Sequence, residues 1–129
     1  ELIGRMKGNI DAHAVARKVE EKLALVRERG IEFEISLIYG LPRQTFDSFR
    51  ASLEWAHKTG ATRVAAYPLM LLRGTEMHRK RHAFGLREAL YPRPSNNDAR
   101  LQEFIPHVVQ TPTMSTDEWL RADQLAQAF

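Results

Sequence analysis

Residues 31–45 read Ile31-Glu32-Phe33-Glu34-Ile35-Ser36-Leu37-Ile38-Tyr39-Gly40-Leu41-Pro42-Arg43-Gln44-Thr45. Ile31, Phe33, Ile35, Leu37 and Tyr39 alternate with Glu32, Glu34, Ser36 and Ile38, a period of two that predicts a strand. Its later half, Leu37-Ile38-Tyr39, is apolar on both faces. That predicts helices packed on one side and a filled interior on the other. Gly40 to Gln44 form a turn. Thr45 can cap a following helix, and Asp47 sits favourably in its first turn.

Upstream, Val15, Val19, Leu23 and Val26 recur at spacings of three and four, which predicts a helix from Asp11 to about Arg29. Its wet face carries Lys18, Glu20, Glu21, Lys22, Arg27 and Glu28. Asn9 or Asp11 can cap it, Gly30 ends it, and residues 1–10 read as a helix end or loop. Downstream, Phe46, Phe49, Leu53 and Ala56 share one helix face with Trp55 beside it, and the helix should stop near Thr59-Gly60. Residues 62–70 (TRVAAYPLM) predict a second strand whose regular part ends near Tyr67, because Pro68 cannot donate a ladder hydrogen bond. Helix, strand, helix, strand with short links is an α/β repeat with parallel strands. Two strands are too few for a self-contained sheet, so a portion of a larger fold is expected.

The rhythm changes after residue 70. Leu71 to Thr75 read as a loop, 76–84 as a short basic helix ended by Gly85, and 86–103 as a turn-rich stretch containing Tyr91-Pro92-Arg93-Pro94-Ser95-Asn96-Asn97. His107 to Thr111 predict a short strand stopped by Pro112. Ser115 or Thr116 can cap a last helix, with Asp117 and Glu118 in its first turn and Trp119, Leu120, Leu125, Ala126 and Phe129 as packing residues.

A chain of 129 residues suits one domain with a real core. Its net charge of +3 rests on 19 Lys and Arg against 16 Asp and Glu, as a solvated mixed-charge surface would give. The absence of cysteine excludes disulfides, zinc–thiolate sites, thiol nucleophiles and cysteine-held iron–sulfur clusters within these residues. No run approaches the roughly 20 apolar residues of a membrane span, and the opening ELIGRMKGNIDAH has no apolar secretory core. A cytoplasmic location is expected, and the missing initiator Met fits an excised piece or a processed chain.

Chemistry has two candidate places. Ile38-Tyr39-Gly40-Leu41-Pro42 lies at the carboxyl end of a predicted parallel strand, where α/β folds bind ligands, and Gly40 would let a ligand approach the backbone. A plain strand-to-helix turn explains the same residues. The second is Tyr67-Pro68-Leu69 with the following Leu72-Arg73-Gly74-Thr75, whose amides and hydroxyl suit a polar group. Neither GxxxxGK[ST], GxGxxG nor GxSxG occurs. His78 and His82 are four apart, but two imidazoles without a carboxylate in HExxH spacing do not make a zinc site. His13 and His57 gain no role from spacing. Residues 73–100 are basic through Arg73, Arg79, Lys80, Arg81, Arg87, Arg93 and Arg100, against Glu76, Glu88 and Asp98. No aromatic platform or recognition helix accompanies them, so nucleic acid is not the expected partner.

The run from Ile35 to Thr45, followed by Phe49, Ser52 and Leu53, resembles the fifth-strand region of radical S-adenosylmethionine enzymes, which often read IYGLPGQT there. Arg43 stands where that family usually has glycine. Tyr67-Pro68-Leu69 through Leu72-Arg73-Gly74-Thr75-Glu76-Met77 resembles the family's sixth-strand PL…LPGT segment, with Arg73 at the usual proline. His107 through Ser115, then Asp117, resembles a post-barrel strand and helix. Leu2-Ile3-Gly4-Arg5 would follow the fourth strand. The nearest subset is the cobalamin-binding group that includes the magnesium-protoporphyrin ester cyclases.

The resemblance implies an α/β fold, the C-terminal portion of a partial (β/α)6 TIM-like barrel over residues 1–75, with a post-barrel strand and helix over 76–129. It implies that Ile38, Tyr39, Gly40, Leu41, Tyr67, Pro68 and Leu69 wall an adenine site. The parent would bind S-adenosylmethionine and a [4Fe–4S] cluster, with cobalamin as a further option. This chain would bind no cofactor and be inactive alone. Its partners would be the missing N-terminal half of the barrel and a second copy, through an exposed strand edge. The competing expectation is a non-catalytic interaction or RNA-binding module.

Overall fold

A computed structural model describes residues 12–90 and 105–129. The readings on residues 1–11, including the Asn9 and Asp11 caps and the Leu2-Ile3-Gly4-Arg5 segment, and those on 91–104 lie outside the described residues. The elements are α1 (Ala12–Glu28), β1 (Glu34–Tyr39), α2 (Phe46–Lys58), β2 (Arg63–Pro68), α3 (Glu76–Arg79), β3 (Arg87–Leu90), β4 (Pro106–Gln110) and α4 (Thr116–Ala128).

Local chemistry sets the two long C-terminal helices. The Thr45 hydroxyl accepts from the Ser48 amide at 3.1 Å, and the Ser48 hydroxyl accepts from the Thr45 amide at 3.0 Å. Ser115 and Glu118 repeat the exchange at the start of α4, at 3.2 and 2.8 Å. Each box satisfies two amides that a helix start leaves orphaned. The helix expected over 76–84 shortens to α3, and the residues after it run through turns into β3.

β1 and β2 pair in parallel, with Glu34 opposite Arg63, Ser36 opposite Ala65, Ile38 opposite Tyr67 and Tyr39 opposite Pro68. The Leu69 amide donates to the Tyr39 carbonyl at 2.9 Å, so Tyr39 turns its backbone groups toward β2. The chain then bends away. The Leu69 carbonyl accepts from the Val108 amide at 3.0 Å, and the Leu71 amide donates to the Pro106 carbonyl at 2.8 Å. This antiparallel contact, centred on the Met70–His107 bridge, leads into the antiparallel pair of β4 with β3.

That contact is why the expected TIM-like (β/α)6 barrel portion is absent. A β/α barrel requires each strand to be flanked by parallel neighbours. Here the chain after β2 meets an antiparallel partner, and the strands among the described residues form two separate two-stranded sheets. The alternation of helix and strand is present over residues 12–68; the architecture inferred from it is corrected.

The main core lies on one face of β1–β2. Tyr39 and Val64 meet Phe49, Leu53 and Ala56 of α2 and Trp119 and Ala122 of α4, with Val109 and Met114 completing the cluster. It draws residues from both sides of position 75. A smaller cluster joins Leu71, Leu86 and Val108 with Leu69, Met77 and Phe84 packed on it. Val108 and Val109 are consecutive in a strand and point to opposite faces, so the two clusters sit on opposite sides of β4. Loosely attached, α1 leaves Val15, Val19 and Leu25 exposed. It meets α2 through polar contacts, the Trp55 indole N–H donating to Glu20 Oε1 at 2.6 Å and Arg27 Nη1 to the Thr59 carbonyl at 3.4 Å.

Within the main core the Tyr39 hydroxyl donates to Asp123 Oδ1 at 2.6 Å, and Gln127 Nε2 donates to Asp123 Oδ2 at 2.9 Å. Removing one partner of a buried polar contact costs the desolvation of the other. Tyr39→Phe is therefore expected to destabilise the fold by about 2 kcal/mol, read as a lower urea midpoint with an unchanged slope.

Candidate functional site

Among the described residues no helix packs on the face of β1–β2 opposite the main core, and this face is bare. Ile35, Leu37 and Tyr39 face the core; by alternation Glu34, Ser36 and Ile38 face away, with Arg63, Ala65 and Tyr67 beside them on β2. Ile38 is 46% exposed and Tyr67 50% exposed, although they are direct register partners. At the other end of the same face Arg63 Nη1 lies 3.6 Å from Glu34 Oε2. The surface is a small apolar patch at the carboxyl end of the strands and an ion pair at the amino end.

The edge of β1 beside this face is partly closed. Ile38 and Gly40 turn their backbone groups away from β2, the opposite direction to Tyr39. Both are taken by one side chain. Gln44 Nε2 donates to the Ile38 carbonyl at 3.1 Å, and Gln44 Oε1 accepts from the Gly40 amide at 2.8 Å and the Leu41 amide at 3.3 Å. A carboxamide carries the same donor and acceptor as a peptide group, so Gln44 stands in for the next strand.

The seven residues expected to wall an adenine site lie in different surroundings. Ile38 and Tyr67 share the bare face. Tyr39 is buried in the core and engaged by Asp123. Gly40 is buried too, and a Cβ there would lie 3.1 Å from the Val108 carbonyl, so the glycine admits β4 rather than a ligand. Leu41, Pro68 and Leu69 are half-buried, and Leu69 packs into the second cluster. The polar group assigned to the next loop is also spent locally, since the Thr75 hydroxyl accepts from the His78 amide at 3.2 Å and donates to the Leu72 carbonyl at 2.7 Å.

Local contacts likewise occupy much of the basic stretch. Lys80 Nζ lies 2.6 Å from Glu76 Oε1, Arg81 Nε 3.6 Å from Glu88 Oε1, and Arg79 Nη1 donates to the Gly74 carbonyl at 2.7 Å. A second concavity, an open groove of 330 Å³ between α1 and α2, is lined by Glu20, Ala24, Arg27, Trp55, Lys58 and Thr59. Two of its charged groups, Glu20 and Arg27, already bond across to Trp55 and the Thr59 carbonyl.

Sequence reasoning missed two buried polar residues, Asp123 and His107. Burial pushes the His107 pKa down, and a hydrogen bond with the Ile105 backbone opposes that shift. Neither residue has a local pattern that marks it as internal.

The radical S-adenosylmethionine assignment is not supported. The chain holds no cysteine. Among the described residues no group of three or more His, Cys, Asp or Glu could hold a metal ion. Neither a [4Fe–4S] cluster nor metal-dependent radical cleavage of S-adenosylmethionine has ligands among the described residues, whose strands form two two-stranded sheets rather than a barrel. Among the described residues no helix is long and apolar enough to cross a membrane. No protein-family model matches the chain, and no curated protein matches it significantly.

His107 ties the stability of the fold to pH, because it is buried on the strand that receives the chain after β2. Its folded-state pKa is lowered, so at pH above the unfolded value of about 6.5 both states are neutral and nothing is lost. As pH falls through that value the unfolded chain takes up a proton that the folded chain resists, and stability falls. Urea midpoints should drop between pH 7.5 and pH 5.5, and His107→Gln should flatten that drop. An equal drop in both proteins would remove His107 as its source.

Proposed function

We propose that this chain acts by protein–protein association, as a binding module, and that it associates with further copies of itself through the bare β1–β2 surface. The Ile38–Tyr67 pair carries the reading. Two large side chains stand side by side in the sheet register, each about half exposed, on a face that no helix among the described residues covers. Apolar area removed from water contributes roughly 25 cal/mol per Å², and grouped apolar surface rimmed by polar residues is a common mark of a contact site. The rim here is Ser36 with the Glu34–Arg63 pair.

Sedimentation velocity over a range of concentrations tests this. The weight-average mass should rise from 14.8 kDa toward twice that value as concentration increases. Substituting both Ile38→Thr and Tyr67→Thr keeps residues that suit a strand and should hold the mass at the single-chain value. A parent chain that keeps the single-chain mass at every concentration refutes the reading.

A further inference from the structure

Resting on that reading, we infer that the second copy docks face to face on the first, related by a twofold axis that runs parallel to the strands between the two sheets, with Glu34 of each chain meeting Arg63 of the other. The register leads to this arrangement. Along the bare face β1 presents Glu34, Ser36 and Ile38, and β2 presents Arg63, Ala65 and Tyr67, each pair side by side. Rotation by a half-turn about an axis parallel to the strands keeps their direction and exchanges their lateral places. The partner's β1 then lies over β2, and the partner's β2 over β1. Glu34 faces the partner's Arg63, Ser36 the partner's Ala65, and Ile38 the partner's Tyr67. Each contact occurs twice, as an isologous interface demands.

Other docking geometries lose this match. A half-turn about an axis along the sheet but across the strands sets the charged end of one copy on the Ile38–Tyr67 end of the other, which desolvates two charges against apolar groups. A half-turn normal to the sheet cannot bring the two faces together at all. Pairing through the β1 edge meets the Gln44 carboxamide, which already satisfies the Ile38 carbonyl and the Gly40 amide. Face-to-face sheets pack about 10 Å apart with their strands within about 30° of alignment, a gap that side chains as long as Glu34 and Arg63 span. Both groups are accessible for this, with Glu34 41% and Arg63 68% exposed at the side chain despite their contact with each other. The patch is small, which places the pair among weak, concentration-dependent dimers.

A charge crossover tests the geometry. Glu34→Arg alone puts two arginines opposite the partner's two, and Arg63→Glu alone puts glutamates opposite glutamates. Each variant by itself should dimerise about tenfold or more weakly than the parent chain, the scale of exposed pairs turned repulsive. Mixed in equal amounts, the two variants carry arginines on one chain and glutamates on the other. Dimerisation should return to within about threefold of the parent, as a mixed species, while repulsion inside each chain remains. One fluorescent label per variant reads the mixed species directly. If either variant loses the parent's cooperative melt, Glu34→Lys and Arg63→Asp carry the same sign pattern. A parent that dimerises while the mixture stays as weak as its components overturns this geometry alone. A parent that never dimerises overturns the association reading with it.

Discussion

The Tyr39 hydroxyl and the Asp123 carboxyl, 2.6 Å apart and both buried, tie the last residue of β1 to the middle of α4 across 84 positions of sequence. A polar pair in a core is tolerated only when its groups are satisfied, so it admits fewer arrangements than apolar contact alone. Gln127 takes the second Asp123 oxygen. With that anchor in place the Tyr39 ring sits 5.3 Å from Phe49 and 5.8 Å from Trp119, joining α2 and α4 over one face of the sheet. Both C-terminal long helices are thereby committed to the same side, and among the described residues the other face of β1–β2 keeps Ile38 and Tyr67 about half exposed.

The local parts of this fold were legible in sequence. Period and capping residues located α1, β1, α2, β2 and α4 to within a few positions, because helix starts and strand alternation are set by neighbours along the chain. Thr45 and Ser115 do cap their helices. What failed was the face assignment of Leu37-Ile38-Tyr39. A continuous apolar run reads as burial on both faces, yet Tyr39 is enclosed and Ile38 is not. The period of two is the same in either case, and only the direction taken by the distant α4 decides between them.

A similar distance effect misplaced α4's own contacts. Leu120 was expected to pack but is 46% exposed, and Phe129, 52% exposed, packs on the His57 ring at 4.5 Å rather than in the core, while Ala122 and Asp123 are buried. The helix turns the stripe containing Trp119, Ala122 and Asp123 inward because Tyr39 requires an acceptor there. The antiparallel contact of residues 69–71 with β4 was equally hidden, since it joins segments about 37 positions apart. Both omissions bear on the architecture, for together they replace an expected barrel wall with two small two-stranded sheets.

The turn that suggested a ligand site has a different task. Arg43 adopts φ of +65°, a left-handed conformation that costs a residue with a side chain about 1 kcal/mol. That reversal carries Gln44 back over the end of β1, where its carboxamide meets the Ile38 carbonyl and the Gly40 and Leu41 amides. Thr113 Oγ1 donates to the Gln44 carbonyl at 2.8 Å, so the segment before α4 holds the turn in place. Several hydrogen bonds, each worth about 1 kcal/mol net, offset the strain. The local cost is thus spent on closing the carboxyl end of a strand edge. Closure of the edge and exposure of the face act together: with the Ile38 carbonyl and the Gly40 amide taken by Gln44, what the Ile38–Tyr67 pair offers on this side of the sheet is side chains rather than open backbone groups.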